Sequence, residues 1–591
     1  MELTPIFIWW LIITIFGLVG WPLAFSWLRY LPDRGFAFIR PVGLLITGYI
    51  LWLGGTLRLL PNSLGGVVFA ALLVVGLGFI WQRQQARSAS DITILEWVKQ
   101  EWRYILSVEL LFNVAFVGWT IFKAYNPDIE TVGGEKWMEI AFINANLQSD
   151  YFPPQDPWLS GFGISYYYFG YVLLAMTTRL SGIVSTTAFN LYTPTLFALT
   201  LTTAFGVIAN LVTLHRLSFR ADESTDSNLT ISILKSPAIF AGFVSALFVG
   251  ILGNLEGLLE AIHKRGLLPD GFWVWLDIRN LKEPPQEITD TFIPDRFHWW
   301  WRASRVLTDY NLTGGEQEVI DEFPFFSFLL GDVHPHVLAL PFVLLVVALA
   351  LNLIANPNFA LTLFKEQQTI NEPSTIFDRL QQILERGWID LNEAIGGRLA
   401  LLLYTIAIGA LSFLNTWDFP IYLGVIGLAL ISWLAQRYGS WQAALQPGMI
   451  GIGALGFLSV VLYFPFYATF QSQAGGILPN LWNPTRLPQF FVFFGPFLVA
   501  TIFLLIVLAG RQSGWGRYVG NSIGFTVFGP VILMLLILTV TLIAPSGRSY
   551  IEGILRNTEI QQFLGVSTVG DLIQAAMGRR LSDPWTCLFL G

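Results

Sequence analysis

Apolar runs of roughly 17 to 25 residues recur along this chain, each long enough for a helix to cross the hydrocarbon core of a bilayer, which is roughly 30 Å thick. They fall near residues 6–28, 41–57, 64–82, 105–123, 187–213, 236–262, 337–355, 399–414, 419–435, 445–467, 491–510 and 523–544, about twelve in all. Within hydrocarbon only a helix or a closed barrel satisfies every backbone N–H and C=O, and runs of this length select the helix. The sequence therefore predicts an all-α polytopic membrane protein of about twelve transmembrane helices, with juxtamembrane helices in its outer loops.

Composition agrees. Of 591 residues 54% are hydrophobic and 12% charged, where an ordinary soluble domain carries roughly 25% charged residues. Tryptophans cluster near the ends of the apolar runs (Trp9, Trp10, Trp27, Trp81, Trp299 to Trp301), as expected of anchors at headgroup depth. A net charge of −7 and the lack of a basic stripe argue against a nucleic-acid partner. With Cys587 the only cysteine, no intramolecular disulfide and no thiolate metal cluster can form. The first run, 6–28, is too long for a signal-peptide core and lacks a basic leader and a small-residue cleavage site, so it is expected to remain as the first span.

Lysine and arginine in short loops mark the cytoplasmic side. Arg29, Arg34 and Arg40, then Arg83, Arg87, Lys99 and Arg103, put both of their loops inside and the N-terminus outside. One apolar piece, Tyr166 to Ile183, is ambiguous. If it crossed, Arg216, Arg220 and Lys235, and later Arg511 and Arg517, would face outward against the rule, so it is expected to be a non-crossing juxtamembrane helix. Three polar loops then share the outer face: 124–186, 263–336 and the turn 415–420.

Each loop carries residues with chemistry to offer and a plainer role beside it. Glu135 and Glu139 are four apart, on one face of a short interfacial helix; a partly desolvated carboxylate there can act as a general base, or the pair, with Lys136, is a set of solvated loop charges. Asp150 has the same standing as Glu139, and Asp156, between prolines, reads as a turn cap. Tyr166, Tyr167, Tyr168 and Tyr171 read as interfacial anchors, one of which could contact a lipid phosphate or a sugar. Arg302 and Arg305, three apart, could grip a phosphate or snorkel beside Asp295 and Asp309. Asp332, His334 and His336 have the spacing to offer a divalent metal ion three ligands; alternatively Asp332 caps a helix with Pro335 in its first turn. Asp418 sits in a helix-to-helix turn before Pro420.

Taken together, EKWMEIAFINA, FPPQDPWLSGFGISYYYFGY, HWWWRASRV, FPFFSFLLGDVHPHVLALPF and FLNTWDFP resemble the uncharacterised "YYY" family of prokaryotic multi-pass membrane proteins over roughly residues 1 to 545. That family is similar, distantly, to the C-type integral-membrane glycosyltransferases, which take sugars from polyprenyl-phosphate donors on the outer face. The resemblance implies a glycosyltransferase C-like core at 105–545, after an N-terminal three-span addition and cytoplasmic loop at 1–104 and before a tail at 546–591. It also implies an enzyme in a prokaryotic cell membrane whose partners are a lipid-linked sugar donor and membrane lipids. Glu135 matches the place of the acceptor-activating acid, with Glu139 second; Lys136, Tyr167, Arg302, Arg305 and Asp418 are expected to bind substrate, and Asp332, His334 and His336 to shape the site or hold a divalent ion. The C-terminal GRRLSDPWTCLFLG looks like the start of a further span, and relatives continue further. A transporter or lipid flippase and a metal-dependent membrane hydrolase are the competing expectations; few charges beyond Glu109 and Glu256 lie within the runs, and no repeat is evident, which counts against transport.

Overall fold

The computed structural model describes residues 3–86, 92–130, 134–220, 233–285, 287–291, 293, 299–360, 375–471, 482–510 and 515–590. In chain order the helices are α1 (Leu3–Trp27), α2 (Ile39–Thr56), α3 (Leu64–Ala86), α4 (Ile94–Ala124), α5 (Lys136–Gln148), α6 (Phe169–Ser181), α7 (Ser185–Arg220) and α8 (Ser236–Gly250). There follow α9 (Glu256–Lys264), α10 (Asp270–Leu276), α11 (Pro324–Leu330), α12 (Pro335–Ile354), α13 (Ile376–Ile395), α14 (Arg398–Leu414), α15 (Asp418–Tyr438) and α16 (Trp441–Leu462). The remainder are α17 (Phe464–Thr469), α18 (Leu487–Ala509), α19 (Trp515–Ile543), α20 (Pro545–Arg556), α21 (Thr558–Leu564), α22 (Val569–Ser582) and α23 (Trp585–Leu590). Among the described residues the only sheet is a hairpin of β1 (Thr308–Tyr310) and β2 (Glu316–Glu318), with Asp309 opposite Gln317.

Among the described residues nine helices are long and apolar enough to cross a membrane: α1, α2, α3, α4, α7, α12, α15, α16 and α18. Three of the twelve expected runs behave otherwise. Run 236–262 breaks at Gly250; Asn254 Oδ1 accepts the Glu256 N–H at 3.1 Å and starts α9 afresh, which a run bearing Glu256 and Glu260 favours over burial in lipid. Run 399–414 becomes α14, 17 residues bent 86° from α13. Run 523–544 lies in α19, several of whose side chains fall outside the described residues.

The chain divides into two compact units, residues 1–251 with 328–472 and residues 252–327 with 473–591. This division is by compactness; the boundaries expected at residues 104 and 545 mark correspondence with relatives instead.

In the first unit α1 and α2 cross backbone to backbone: a Cβ on Gly43 would stand 1.9 Å from the Phe16 carbonyl oxygen. Several buried hydroxyls on α7 are satisfied locally, Thr195 donating to Leu191 O at 2.8 Å and Thr203 to Leu199 O at 2.7 Å, while those of Thr193 and Thr200 have no partner among the described residues. Helix α6, expected at the membrane surface, is buried from Phe169 to Thr178. Its 13 residues reach only about 20 Å. Tyr168 and Tyr171 are therefore core residues rather than headgroup anchors, and Tyr168 Oη accepts a hydrogen bond from Trp52 Nε1 at 3.1 Å.

The second unit packs Trp273, Leu276, Ile278 and Leu281 against Val306 and Val492. Asp277, left-handed at φ 60°, ends α10 and turns its carboxylate to Tyr310 Oη (2.7 Å), Arg486 (2.7 Å) and Lys282.

Candidate functional site

At one end of the first unit, segments far apart in sequence converge. Gly134, at φ 72°, turns the chain so that Glu135 stands at the N-cap of α5 and Glu139 one turn further on the same face. Opposite them the turn from Gly331 (φ 69°) leads into α12. Gly134 is required for space as well, since a Cβ there would lie 2.4 Å from Asp332 Oδ2 and 2.9 Å from Asp332 Cβ, and a Cβ on Gly331 would lie 2.7 Å from Lys123 Nζ. The two segments are joined directly. Glu139 Oε2 accepts the Val333 N–H at 2.9 Å across 194 residues, and Lys123 Nζ donates to Gly331 O at 3.2 Å.

Four titratable side chains are buried here, two acids and two bases: Glu139 (0% exposed), Asp332 (3%), Lys136 (3%) and Lys123 (6%). Burial first, then the negative charge of Asp332, holds the Glu139 carboxyl well above its ordinary value of 4.5, against the pull of the Val333 N–H. Its second oxygen, Oε1, has no hydrogen-bond partner among the described residues, and neither does the buried Tyr171 hydroxyl. Such buried, unpaired groups are places for an internal water to bond.

Glu135 is the accessible member: its side chain is 55% exposed, and Oε2 lies 3.4 Å from His334 Nε2. His334 Nδ1 in turn lies 2.8 Å from His336 Nδ1. Only one hydrogen fits between two ring nitrogens at that distance, so one imidazole donates there and the other accepts. Asp418, the first residue of α15, lies within electrostatic range of His336, and its Oδ2 accepts from Asn415 Nδ2 at 3.1 Å. Aromatic rings close one side: Tyr166 meets Tyr167 at 4.6 Å and Phe142 at 5.8 Å, both tilted, and Tyr167 meets Phe470 at 5.4 Å. Burial, then the Glu135 charge, pushes the Tyr166 hydroxyl above its ordinary range.

Glu135, Lys136, Glu139, Tyr167, Asp332, His334, His336 and Asp418 thus lie in the first unit. Asp332 is not the cap of α12. His334 occupies that position with Pro335 after it, while the Asp332 carboxylate faces Gly134. Among the described residues no three His, Cys, Asp or Glu side chains have metal-holding geometry. Asp156 forms the expected turn, accepting the N–H groups of Trp158 and Leu159 at 2.8 and 2.9 Å.

Arg302 and Arg305 belong to the second unit. Arg302 pairs with Glu318 at 2.5 Å, and Glu318 also takes Arg279 at 3.0 Å. Arg305 is buried, its guanidinium 4.7 Å from the Trp301 ring and donating to Ser304 O at 2.9 Å. Asp295, expected beside them, lies outside the described residues.

Lys123 is the member that sequence reasoning missed. A lysine in the last turn of an apolar run reads as a snorkelling anchor, and only the turn 208 residues later shows that it points inward.

This architecture defines a polytopic helical membrane protein with a buried cluster of titratable side chains at one end of a helical unit. Over residues 46–570 its sequence matches the family described as Uncharacterized membrane protein (DUF2298), and the chain belongs to that family. The match begins within α2 and runs into α22, where the motif resemblance covered 1 to 545, and it makes no link to glycosyltransferases. Searches of curated proteins and of solved structures returned no match.

Proposed function

We propose that the cluster in the first unit is an acid–base site for transfer of a sugar from a polyprenyl phosphate to an acceptor hydroxyl at the non-cytoplasmic surface. The observation that carries this reading is the meeting of Glu135 with His334 at 3.4 Å, beside a carboxylate whose proton affinity burial has raised. Clustered titratable groups with perturbed proton affinity are candidates for proton-transfer chemistry. Glu135 takes the acceptor proton as the acceptor oxygen bonds to the anomeric carbon and the sugar–phosphate bond breaks, its electron pair leaving on the phosphate. His334 and His336 share one proton between their facing nitrogens and steady the charge on Glu135 as it changes. Tyr166 and Tyr167 offer flat faces on which a sugar ring can stack.

The test is a strain lacking the gene. Lipid-linked sugars are expected to accumulate and to clear when the wild-type chain is restored. Glu135→Gln, expressed at the same level, should lower turnover roughly 10²- to 10⁴-fold, the usual contribution of a general base. Undiminished clearance by Glu135→Gln would remove that residue from the chemistry, and an unchanged lipid-linked sugar pool on deletion would remove the reaction class.

A further inference from the structure

The second unit contains a cavity of about 840 Å³ bounded by the hairpin, α19, α20, α21 and α22, within the roughly 300–1,000 Å³ range of small-molecule sites. Three helices each turn an apolar stripe into it: Leu535 and Leu538 from α19, Ile551 and Ile554 from α20, Leu572 and Ala576 from α22. The spacings of three and four residues are those of one helix face. A space lined this way does not hold water well. Along α19, Phe525 is 81% and Phe528 65% exposed, as apolar side chains of a 29-residue helix are when hydrocarbon surrounds it. In a bilayer the apolar molecule at hand is the chain of a lipid.

The polar wall of the same cavity selects the kind of lipid. Tyr310, Trp482 and Asn483 line it, and these three groups hold Arg579. Its guanidinium lies 5.7 Å from the Tyr310 ring and 5.1 Å from the Trp482 ring, and Nη2 donates to Asn483 Oδ1 at 3.2 Å. Asn483 is itself fixed, exchanging hydrogen bonds with the Tyr310 backbone at 3.2 and 3.0 Å. Among the described residues no carboxylate lies within ion-pair distance of Arg579. Two aromatic faces and an amide position this cation without neutralising it, and a planar guanidinium so placed matches a phosphate. Glu559, an exposed carboxylate, also lines the cavity. We infer that the second unit binds an anionic phospholipid, its hydrocarbon chain in the cavity between α19, α20 and α22 and its phosphate on Arg579. The site lies wholly within this unit and does not depend on the acid–base reading of the first.

The full chain, reconstituted in nanodiscs of phosphatidylcholine doped with a minor fraction of phosphatidylglycerol and released into mild detergent, is read by native mass spectrometry. One phosphatidylglycerol per chain should be retained in preference to phosphatidylcholine. Arg579→Gln should cut that preference about tenfold, the loss expected for one charge-assisted hydrogen bond, and Arg579→Lys should keep most of it. Ala576→Trp, which fills the cavity and leaves the cation in place, should expel the lipid. Equal retention of both lipids, or a preference untouched by Arg579→Gln and Ala576→Trp, means bulk annular lipid only and overturns the inference. A dimer in place of the lipid-bound monomer overturns it equally, since a second copy would then occupy the groove.

Discussion

Glu139 shows how one side chain sets the character of the cluster. Its carboxylate has no exposure to solvent, and Asp332 adds a second negative charge, so the protonated form fits the fold and the ionised form must be forced into it. Because the folded-state value lies above the 4.5 of a free carboxylate, its stabilising contribution is complete below that pH and is lost as the pH rises through the folded-state value. Melting of the wild-type chain in detergent is therefore expected to fall as pH is raised above about 4.5. Glu139→Gln keeps an oxygen for the Val333 N–H and cannot ionise; its melting should vary less with pH and exceed that of the wild type at the alkaline end. A difference between the two that does not change with pH would mean that Glu139 titrates as a free carboxylate does.

Between helices, the decisive contacts are backbone against backbone. At the α1–α2 crossing a Cβ on Gly20 would approach Ile39 O to 2.2 Å, and one on Gly43 would approach Phe16 O to 1.9 Å. Neither carbonyl can swing aside as a side chain could, so a larger residue must part the helices. Close approach through small residues is a general device for helix association in lipid, where the hydrophobic effect gives no help. Gly43→Leu is expected to cost about 3 kcal/mol or more, seen as a lower melting temperature and reduced yield. Gly76→Leu on α3, where nothing lies within 4 Å, serves as the control and should melt with the wild type. Equal melting of both variants would show that the crossing is looser than described. The same scale explains α6: Gly48 admits Leu173, and Gly170 admits Leu338, each where a Cβ would come within 2.5 Å, and so a 13-residue segment sinks into the helical bundle.

For the chain as a whole, the question is which polar segments share a side. Within the first unit Tyr30 N donates to Asn352 Oδ1 at 3.0 Å and Arg437 pairs with Glu393, which gathers the loops after α1, α12 and α15 at one end. Glu135, Asp332 and Asp418 lie at the other. In a Cys587→Ser background, Trp158→Cys and Trp417→Cys, 89% and 45% exposed in the native chain, should label from one side of the membrane and Gln381→Cys from the opposite side. The charge rule places positions 158 and 417 outside; labelling of both from the cytoplasm would invert that orientation, and labelling from opposite sides would contradict the arrangement of the unit.

The helical class and nine of the about twelve expected spans were readable from the chain, because hydrocarbon thickness fixes segment length; Glu135 and His334, both expected at the site, stand 3.4 Å apart, whereas Arg302 and Arg305, expected with them, belong to the other unit. Lys123 was not readable, nor the core placement of Tyr168 and Tyr171, nor the break after Gly250. A lysine at the end of an apolar run and a tyrosine at the end of a loop look the same in sequence whether they face lipid, water or protein. What local sequence determines is the free energy of each segment against its solvent. What only the tertiary structure decides is which buried polar atoms meet, since that depends on distances between residues some two hundred positions apart, which no local pattern encodes.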